Sequence, residues 1–534
     1  MMQRFSLALS TVAVALLAAA CSGGGATTPS AGVAGATAVN TGGLAIDRTR
    51  PRFLRLIHTP AHPPPHRHNI TAAERARSRG GGWQEVASSP AWPNGPQTEI
   101  LMTDGTVMVF DYCSSSVFRL TPDKNGNYLT GTWSSVPSLP SSYAPLYFAS
   151  AILPDGKLIL NGGEYQACVG KEQTAGAIYD PVANSWTSVT GPTGWGRIGD
   201  AQSAVLPNGT YMLGNCCTNT QALLDESTMT WTLIGTGKQD VNSEEGWTLL
   251  KNGTLLVVNV SDPPYAQYYS PTANMWESAG QLPVNIVSPT GEEIGPQTLR
   301  PDGTVFAAGG NGDTAIYNTK TAVWTQGPTF PIVGSQQLDV ADGPSAVMLN
   351  GQVMISASPG LYNAPASLFV FNGKKLKSIA TPPNFPNDSS YNIRLLMLPT
   401  GQIMEDDSSS DIEIYTGGGA PDARIAPIVT AVPTTLTHGD TYKISGKRFN
   451  GATQNNMYGD DVQQATNYPL VRITNSATGH VFYCRTHNFS FMGVASNRKV
   501  NAKFDVPASI ETGASTLVVV TNGNPSAPVS VTIQ

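Results

Sequence analysis

Seven segments of this chain end in the same short turn, and this repeat restricts the fold more than any other feature of the sequence. The segments are LMTDG, ILPDG, VLPNG, LLKNG, LRPDG, VMLNG and MLPTG, with glycines at Gly105, Gly156, Gly209, Gly253, Gly303, Gly351 and Gly401. The glycines are 51, 53, 44, 50, 48 and 50 residues apart, a period typical of propeller blades rather than of helical repeats. Seven turns therefore predict seven blades around one axis.

The composition agrees with a fold made of strands. Charged residues make up 13% of the 534 residues, while 54 glycines and 40 prolines fit short strands joined by many turns. The formal net charge of -6 gives no basic surface for a nucleic acid, so no nucleic-acid partner is expected. The sequence predicts an all-β protein.

The N-terminus has the features of an export signal. Residues 1–21 combine a positive start, an apolar run too short for a permanent membrane helix, and small residues before Cys21. The stretch 17–21 resembles a bacterial lipobox, which predicts lipidation of Cys21 and attachment to the outer membrane or cell surface through this lipid anchor alone. The alternative is cleavage and release into the periplasm or the medium. Residues 22–82 are rich in Gly, Ala and Pro and predict a disordered linker.

Residues 83–425 predict the propeller itself. After each turn a second strand follows in the sequence. In five units an aromatic strand then leads to a tryptophan: Trp133, Trp186, Trp231, Trp276 and Trp324. This pattern resembles the kelch repeat. The last unit breaks off before any tryptophan, and Trp83 begins the folded chain with the strand that this unit lacks. The N-terminal strand is therefore expected to close the ring in the seventh blade.

After residue 425 the pattern changes to alternating strands at sandwich spacing. The last segment, residues 426–534, predicts an immunoglobulin-like β-sandwich domain. Its stretch FNGATQNNMYGDDVQQATNYPLVRITN, followed by RTHNFSFMG, is similar to the C-terminal domain of the galactose oxidase and glyoxal oxidase family. With the kelch-like blades, this resemblance covers roughly residues 83 to 534. It implies the family's fold and the activity of a copper radical oxidase.

The copper ligands that the resemblance implies are mostly missing. The chemistry needs a tyrosine cross-linked to cysteine, a second tyrosine and two histidines. With the blades aligned on their turns, the second tyrosine falls on Tyr391, its adjacent histidine on Asn392, and the cross-linked tyrosine on Asp200. Only His487 matches the histidine that the C-terminal domain directs to the axis. Copper is therefore not expected as a cofactor.

Acidic and polar residues replace those ligands. Nine residues before their turn glycines lie Tyr147, Asp200, Glu244, Asp342 and Asn392, with Glu245, Glu293 and Asp339 nearby. Equal offsets predict equal heights along the blades, so these side chains are expected to ring an axial funnel. As acid and base, Asp200, Glu244, Asp342, Tyr391 and His487 could catalyse hydrolysis or elimination of a glycoside. The carboxylates could instead bind Ca²⁺ or Mg²⁺, or only cap strand starts by accepting hydrogen bonds from backbone N–H groups.

The cysteines fit an oxidising compartment. Cys113, Cys168, Cys216 and Cys217 follow the second strands of consecutive blades, which predicts disulfides between neighbouring loops. Cys168 pairs either with Cys113 or with the Cys216–Cys217 pair, and the alternative is buried reduced thiols. The leading functional hypothesis is binding or processing of a saccharide or another polar ligand in the funnel. Two further hypotheses are a protein-interaction module and a residual metal-dependent oxidase.

Overall fold

The computed structural model describes residues 82–140, 142–458 and 464–534. These residues contain no α-helix, only the 3₁₀ helices Phe385–Asn387 and Ser390–Asn392. Nothing helical in this part of the chain is long and apolar enough to cross a membrane. The predicted export signal, Cys21 and nearly all of the predicted linker lie outside the described residues.

Seven blades of four antiparallel strands form the propeller, and the prediction of an all-β seven-bladed fold is confirmed. Six blades are separate four-stranded sheets, and blade 6 lies within a seven-stranded sheet. The strands of each blade, from innermost to outermost, are Pro96–Leu101, Val107–Asp111, Val117–Thr121 and Thr132–Val136 in blade 1; Ala149–Ile152, Leu158–Asn161, Ala175–Asp180 and Ser185–Thr190 in blade 2; Ser203–Val205, Tyr211–Gly214, Gln221–Asp225 and Thr230–Ile234 in blade 3; Thr248–Leu249, Leu255–Val258, Tyr265–Ser270 and Met275–Gln281 in blade 4; Ile294–Leu299, Thr304–Gly309, Thr314–Asn318 and Val323–Gln326 in blade 5; Ser345–Val347, Val353–Pro359, Ser367–Phe371 and Leu376–Ile379 in blade 6; and Arg394–Met397, Ile403–Asp406, Glu413–Tyr415 and Trp83–Glu85 in blade 7. Pro145–Leu146, Tyr165–Gln166 and Val169–Gly170 form a small extra sheet, while Ile332–Val333, Gln336–Asp339 and Asn456–Met457 extend blade 6.

The turn repeat has a local chemical cause. Oδ1 of Asp104 accepts a 3.0 Å hydrogen bond from the amide of Thr106, and the residue before the turn glycine makes the same bond in blades 2 to 6. Gly105 has a φ of 76°, and all seven turn glycines occupy this left-handed region. A side chain is disfavoured there, which explains why glycine ends every segment.

The repeated tryptophans join neighbouring blades. The indole nitrogen of Trp186 in blade 2 donates a 2.8 Å hydrogen bond to the carbonyl of Pro137, at the end of blade 1. The equivalent tryptophans of blades 1, 3, 5 and 7 also donate to carbonyls of the preceding blade. In blade 7 this tryptophan is Trp83, in the outermost strand. It pairs with Tyr415 of the neighbouring strand. The two ends of the propeller sequence thus lie in one sheet.

The C-terminal part of the chain consists of strands too. In the order in which they pair, these are Ile428–Ala431, Thr441–Lys447, Lys499–Asp505, Val481–His487, Leu470–Asn475, Gly513–Thr521, Val529–Ile533 and Thr435–Leu436, with Asn524–Pro525 added on Gly513–Thr521. The immunoglobulin-like class of this part stays a prediction. It packs against the glycine turns, which we call the turn end of the propeller: the amides of Thr486 and Phe489 donate to the carbonyls of Thr103 and Pro154.

One segment leaves these strands and enters the propeller. Residues 453–458 and 464–468, here called the axial insertion, bond to the innermost strands of four blades. Gln464 donates to the carbonyl of Glu99 in blade 1, and the Leu249 amide of blade 4 donates to Gln454. Asn455 and Asn456 bond to blades 6 and 7. Because innermost strands from several blades meet only around the axis, the insertion lies in the axial channel.

Candidate functional site

Side chains from several blades meet at the end of the propeller opposite the glycine turns. A buried aromatic cluster there contains Tyr112 of blade 1, Tyr147 and Tyr165 of blade 2 and Tyr391 of blade 7, with Tyr362 packed against it. The rings of Tyr362 and Tyr391 lie edge to face, with centroids 4.9 Å apart. Blade 1 separates blades 2 and 7 in the closed ring, so the approach of the Arg394 guanidinium of blade 7 to within 5.5 Å of the Tyr147 ring centroid places this cluster near the axis.

A group of carboxylates adjoins the tyrosines. Oxygens of Glu244, Glu293 and Asp342 lie within 4.8 Å of one another. Tyr362 links the two groups, since its hydroxyl donates to Glu293 at 2.5 Å and lies 3.4 Å from Asp342. We call the tyrosine cluster and these three carboxylates the axial site. Three clustered carboxylates could hold a hard cation such as Ca²⁺ or Mg²⁺, which prefers oxygen ligands.

The backbone of the axial site repeats an uncommon conformation. Tyr147, Glu244 and Asp342 have φ values of 54°, 59° and 50°, although none is a glycine. All three lie nine residues before a turn glycine, two to four residues before an innermost strand begins. A non-glycine residue at positive φ carries strain of about 1 kcal/mol or more. The fold thus accepts the same strain in three blades to place these side chains on the axis.

Beneath the tyrosines lies one fully buried guanidinium, that of Arg394. It donates 2.7 and 2.9 Å hydrogen bonds to the carbonyls of Tyr391 and Ile393. Its centre lies 4.0 Å from the ring centroid of Tyr458, a residue of the axial insertion. The Arg394 charge therefore fixes both the loop that carries Tyr391 and the tip of the insertion.

The phenols of the axial site stay protonated at neutral pH. Burial and the nearby Glu164 raise the pKa of Tyr112 to about 12, although Arg394 opposes the shift. Burial likewise raises the pKa values of Tyr147, Tyr362 and Tyr391. Protonated phenols offer hydroxyl donors and aromatic surface rather than anionic ligands.

Further buried carboxylates surround the site. Burial raises the pKa of Asp339 to about 7, against the lowering effect of the Ala341 and Gly360 amides. In blade 7, burial raises the pKa of Asp406 to about 7 and that of Asp407 to about 6. Carboxyl groups with such pKa values can exchange protons near neutral pH, as general acids and bases must.

The predicted position of His487 is wrong. Its strand, Val481–His487, lies beneath the glycine turns, at the opposite end of the blades from Tyr391. The imidazole Nε2 is 3.1 Å from Asp505, and Nδ1 is 2.6 Å from Asn488. The C-terminal segment that does reach the axis is the insertion, with Tyr458 at the axial site. His487 stabilises the C-terminal part and does not reach the funnel.

Three other predicted residues lie apart from the carboxylate group. Glu245 forms a buried ion pair with Lys238, with 2.8 Å between Nζ and Oε1, so it does not line the funnel as predicted. The physical reason is that Glu244 lies in a turn at a φ of 59°, before the strand Thr248–Leu249 begins, so the side chains of Glu244 and Glu245 leave the backbone in different directions. Asp200 is buried at the start of blade 3. Asn392 follows Tyr391 in a 3₁₀ helix, where its Oδ1 lies 3.4 Å from the Ser389 hydroxyl.

The four predicted cysteines form two disulfides. Cys113 is bonded to Cys168, and Cys216 to its neighbour Cys217. Cys113 belongs to the axial aromatic cluster, so the first bond ties the loops of blades 1 and 2 together there. Sγ of Cys216 lies 3.4 Å from Glu172, but sulfurs bonded to each other are not available as thiolate metal ligands.

Sequence reasoning did not assign a role to Arg394, Tyr112, Tyr362 or Tyr458. Arg394 stands two residues after the predicted Asn392, and a lone cation in an apolar strand is a signal that could have been used. For Tyr458 the signal was the run of amide side chains around it, which does not alternate as a strand does and suits a segment bonded to exposed strand edges.

Comparison with known proteins gives limited but consistent similarities. No protein-family model matches the chain. Over 268 residues it is 24% identical to the Kelch-like protein terF of Aspergillus terreus, an alignment that covers 43% of this chain. The chain spans about half the length of that curated relative, 52%.

Solved structures with the same kind of fold are more distant in sequence. A fungal alcohol oxidase of the AA5 family, in complex with copper, shows 13% identity and a TM-score of 0.49, with 85% of this chain and 99% of the oxidase covered. Virginiamycin B lyase from Staphylococcus aureus, in a catalytically inactive form with quinupristin, shows 12% identity and a TM-score of 0.45, with 63% and 99% covered. The chain is similar in architecture to kelch-like and galactose oxidase-like proteins, as its sequence predicted.

Proposed function

We propose that this protein binds a saccharide or a similar polyhydroxylated ligand at the axial site and processes it by carboxylate acid–base chemistry. The observation that carries this proposal is the approach of Glu244, Glu293 and Asp342 to within 4.8 Å of one another, beside protonated tyrosines. Hydroxyl-rich ligands need both hydrogen-bond acceptors and donors, and the carboxylates and phenols supply them.

The close spacing of the three carboxylates affects what they can bind and how they can react. Two unit charges about 4.8 Å apart repel by roughly 3 kcal/mol at an effective dielectric constant of about 20. Such a group favours binding a cation or a hydroxyl donor of the ligand, and a carboxylate within it is a candidate base. Asp339, with its pKa near 7, is a candidate acid three residues before Asp342.

Export supports the same function. We propose that the protein is exported, through the signal in residues 1–21, and anchored by lipid at Cys21. Two disulfides fit an oxidising compartment. An extracytoplasmic location would expose the axial site to saccharides outside the cell.

Copper radical chemistry, which the galactose oxidase resemblance implies, does not fit the residues at the axis. The three described histidines, His438, His480 and His487, all belong to the C-terminal part, and the last two bond to Glu511 and Asp505 there. The cysteine in the aromatic cluster, Cys113, is bonded to Cys168 and has no thiol for a thioether bond to tyrosine. Hard oxygen donors remain among the described axial residues, and these suit Ca²⁺ better than Cu²⁺.

The test uses the full-length protein and a panel of neutral and acidic oligosaccharides. Binding is measured by calorimetry and turnover by chromatography of the products. Glu244→Gln and Asp342→Asn should each abolish turnover, while Glu511→Gln, a half-buried carboxylate of the C-terminal part, should leave it unchanged. Saccharide turnover that survives both axial substitutions would refute the proposal.

A divalent cation is the second candidate occupant, because of the same three oxygens within 4.8 Å. Titration with CaCl₂ should show one site that disappears in Glu293→Gln if the carboxylates act as ligands. Release of hydrogen peroxide from galactose after addition of copper would revive the oxidase hypothesis instead.

A further inference from the structure

A second cleft lies at the turn end of the propeller, between blades 4 and 5 and the C-terminal part. Its volume is about 770 Å³, within the range of about 300–1,000 Å³ found for small-molecule sites. Five cationic side chains and one carboxylate, Asp302, line it; the cations are Lys251, Arg300, Lys320, Arg424 and Arg448. The cleft is therefore positively charged, although the whole chain carries a net charge of -6.

The two glycine turns in the cleft wall depart from the repeat. Two residues before the turn glycine, blade 4 has Lys251, where four other blades have proline. Three residues before it, blade 5 has Arg300, where every other blade has Leu or Met. At these two positions of the seven turns, basic residues occur only in blades 4 and 5, and both face this cleft.

Two of the guanidiniums are held in place. Arg300 donates to Asp302 at 2.7 Å and to the carbonyl of Gly351 at 3.3 Å, and its centre lies 5.3 Å from the ring centroid of Phe371. On the opposite wall, Nε of Arg448 donates to Asn497 at 3.1 Å. Because these bonds fix the side chains beforehand, little conformational entropy is lost when a ligand binds.

The two lysines carry charge that the protein does not neutralise. Lys251 and Lys320 are exposed, and within the described ranges neither ammonium group has an ion-pair or hydrogen-bond partner. Arg424 differs, because Asp422 pairs with it at 2.7 Å. The uncompensated positive charge of the cleft therefore lies mainly on Lys251, Lys320 and Arg448, which attract an anion.

The remaining lining is suited to a sugar rather than to a bare inorganic anion. Tyr268 and Tyr317 contribute aromatic rings, and Asn252, Thr254 and Thr319 contribute amide and hydroxyl groups. We propose that this cleft binds an acidic oligosaccharide, one with two or more carboxylate, sulfate or phosphate groups. It is a site separate from the axial site, at the other end of the blades.

Calorimetry of the full-length protein tests this with four probes: trigalacturonic acid, a heparin-derived tetrasaccharide, neutral maltotriose and inositol hexakisphosphate. At least one acidic saccharide should bind, more weakly as salt rises, whereas maltotriose should not bind in the cleft. The double variant Lys251→Gln/Lys320→Gln should weaken binding roughly tenfold. Lys503→Gln, an exposed lysine elsewhere, should not change it.

Circular dichroism and the unfolding midpoint show whether each variant is folded. The proposal is overturned if neither acidic saccharide binds, or if the double lysine variant binds as the wild type does. It is also overturned if inositol hexakisphosphate alone binds, since the cleft would then recognise anionic groups without a sugar chain. Binding that is lost with Glu244→Gln but kept in the lysine variant would assign the saccharide to the axial site.

Discussion

The hydroxyl of Tyr458 donates a 2.7 Å hydrogen bond to the backbone carbonyl of Tyr391, 67 residues earlier in the chain. Arg394 donates to the same carbonyl, also at 2.7 Å. A residue of the axial insertion and a residue of blade 7 therefore hold one loop of the axial site from two sides. The C-terminal part thus reaches this site through the axial channel, although its strands pack at the turn end.

Tyr458→Phe should lower the free energy of unfolding by about 1 kcal/mol, the usual net contribution of a hydrogen bond, because Arg394 still satisfies the Tyr391 carbonyl. The measurement is the urea midpoint. Tyr265→Phe, at an exposed strand end, is the matched control and should have no effect. If both variants unfold at the same urea concentration, the insertion does not support the site through this bond.

The buried carboxylates of blade 7 predict a particular pH dependence. Burial raises the folded-state pKa of Asp407 to about 6, above that of the unfolded chain, so the folded state binds more protons between these values. This stabilising contribution is complete below the unfolded pKa and is lost as pH rises through about 6. Stability should therefore fall between about pH 4 and about pH 6.

The Asp407 contribution to this fall should be on the order of 2–3 kcal/mol, because its pKa is shifted by roughly two units. Asp407→Asn should remove this contribution. Urea unfolding across this pH range measures it. Asp225→Asn, at a fully exposed turn, should keep the wild-type slope. Equal slopes in the Asp407 variant and the wild type would mean that Asp407 is ionised throughout.

The sequence predicted those parts of the molecule that repeat, because each blade obeys the same local rules. Asx side chains and left-handed glycines define the turns, and Tyr147, Glu244 and Asp342, at a constant offset from the glycine, share a positive φ. The offset could not say which of two neighbours faces the axis, as Glu244 and Glu245 show. It also could not place Tyr458 or His487, because the C-terminal part follows no repeat and its path depends on contacts with distant blades.

Breaking the buried ion pair of Lys238 and Glu245 should cause a large loss of stability. Their side chains are 1% and 0% exposed, and burial raises the pKa of Glu245 although Lys238 opposes the shift. Lys238→Met should destabilise the protein by about 3–5 kcal/mol, because it leaves a buried carboxylate unpaired. The loss should grow as pH rises, since the remaining Glu245 must then give up its proton.

The double variant Lys238→Met/Glu245→Leu should recover most of this stability, because neither buried charge remains. Lys157→Met removes an exposed pair with Asp155, at 36% and 39% exposure, and should cost no more than about 1 kcal/mol. Chemical denaturation of the four proteins at two pH values is the measurement. A Lys238→Met loss as small as that of Lys157→Met would contradict the assignment of a buried pair.

The two disulfides should contribute very differently to stability. Cys113–Cys168 closes a loop with a sequence separation of 55, whereas Cys216–Cys217 joins adjacent residues. In the chain-entropy model, cross-linking restricts the unfolded state more as the loop lengthens, which predicts a loss of roughly 2–4 kcal/mol for Cys113→Ala/Cys168→Ala. Cys216→Ala/Cys217→Ala closes almost no loop and should change the unfolding midpoint little. Denaturation of both double variants without reductant measures the difference, and an equal loss in both would show that local packing rather than loop closure sets the contribution of these bonds.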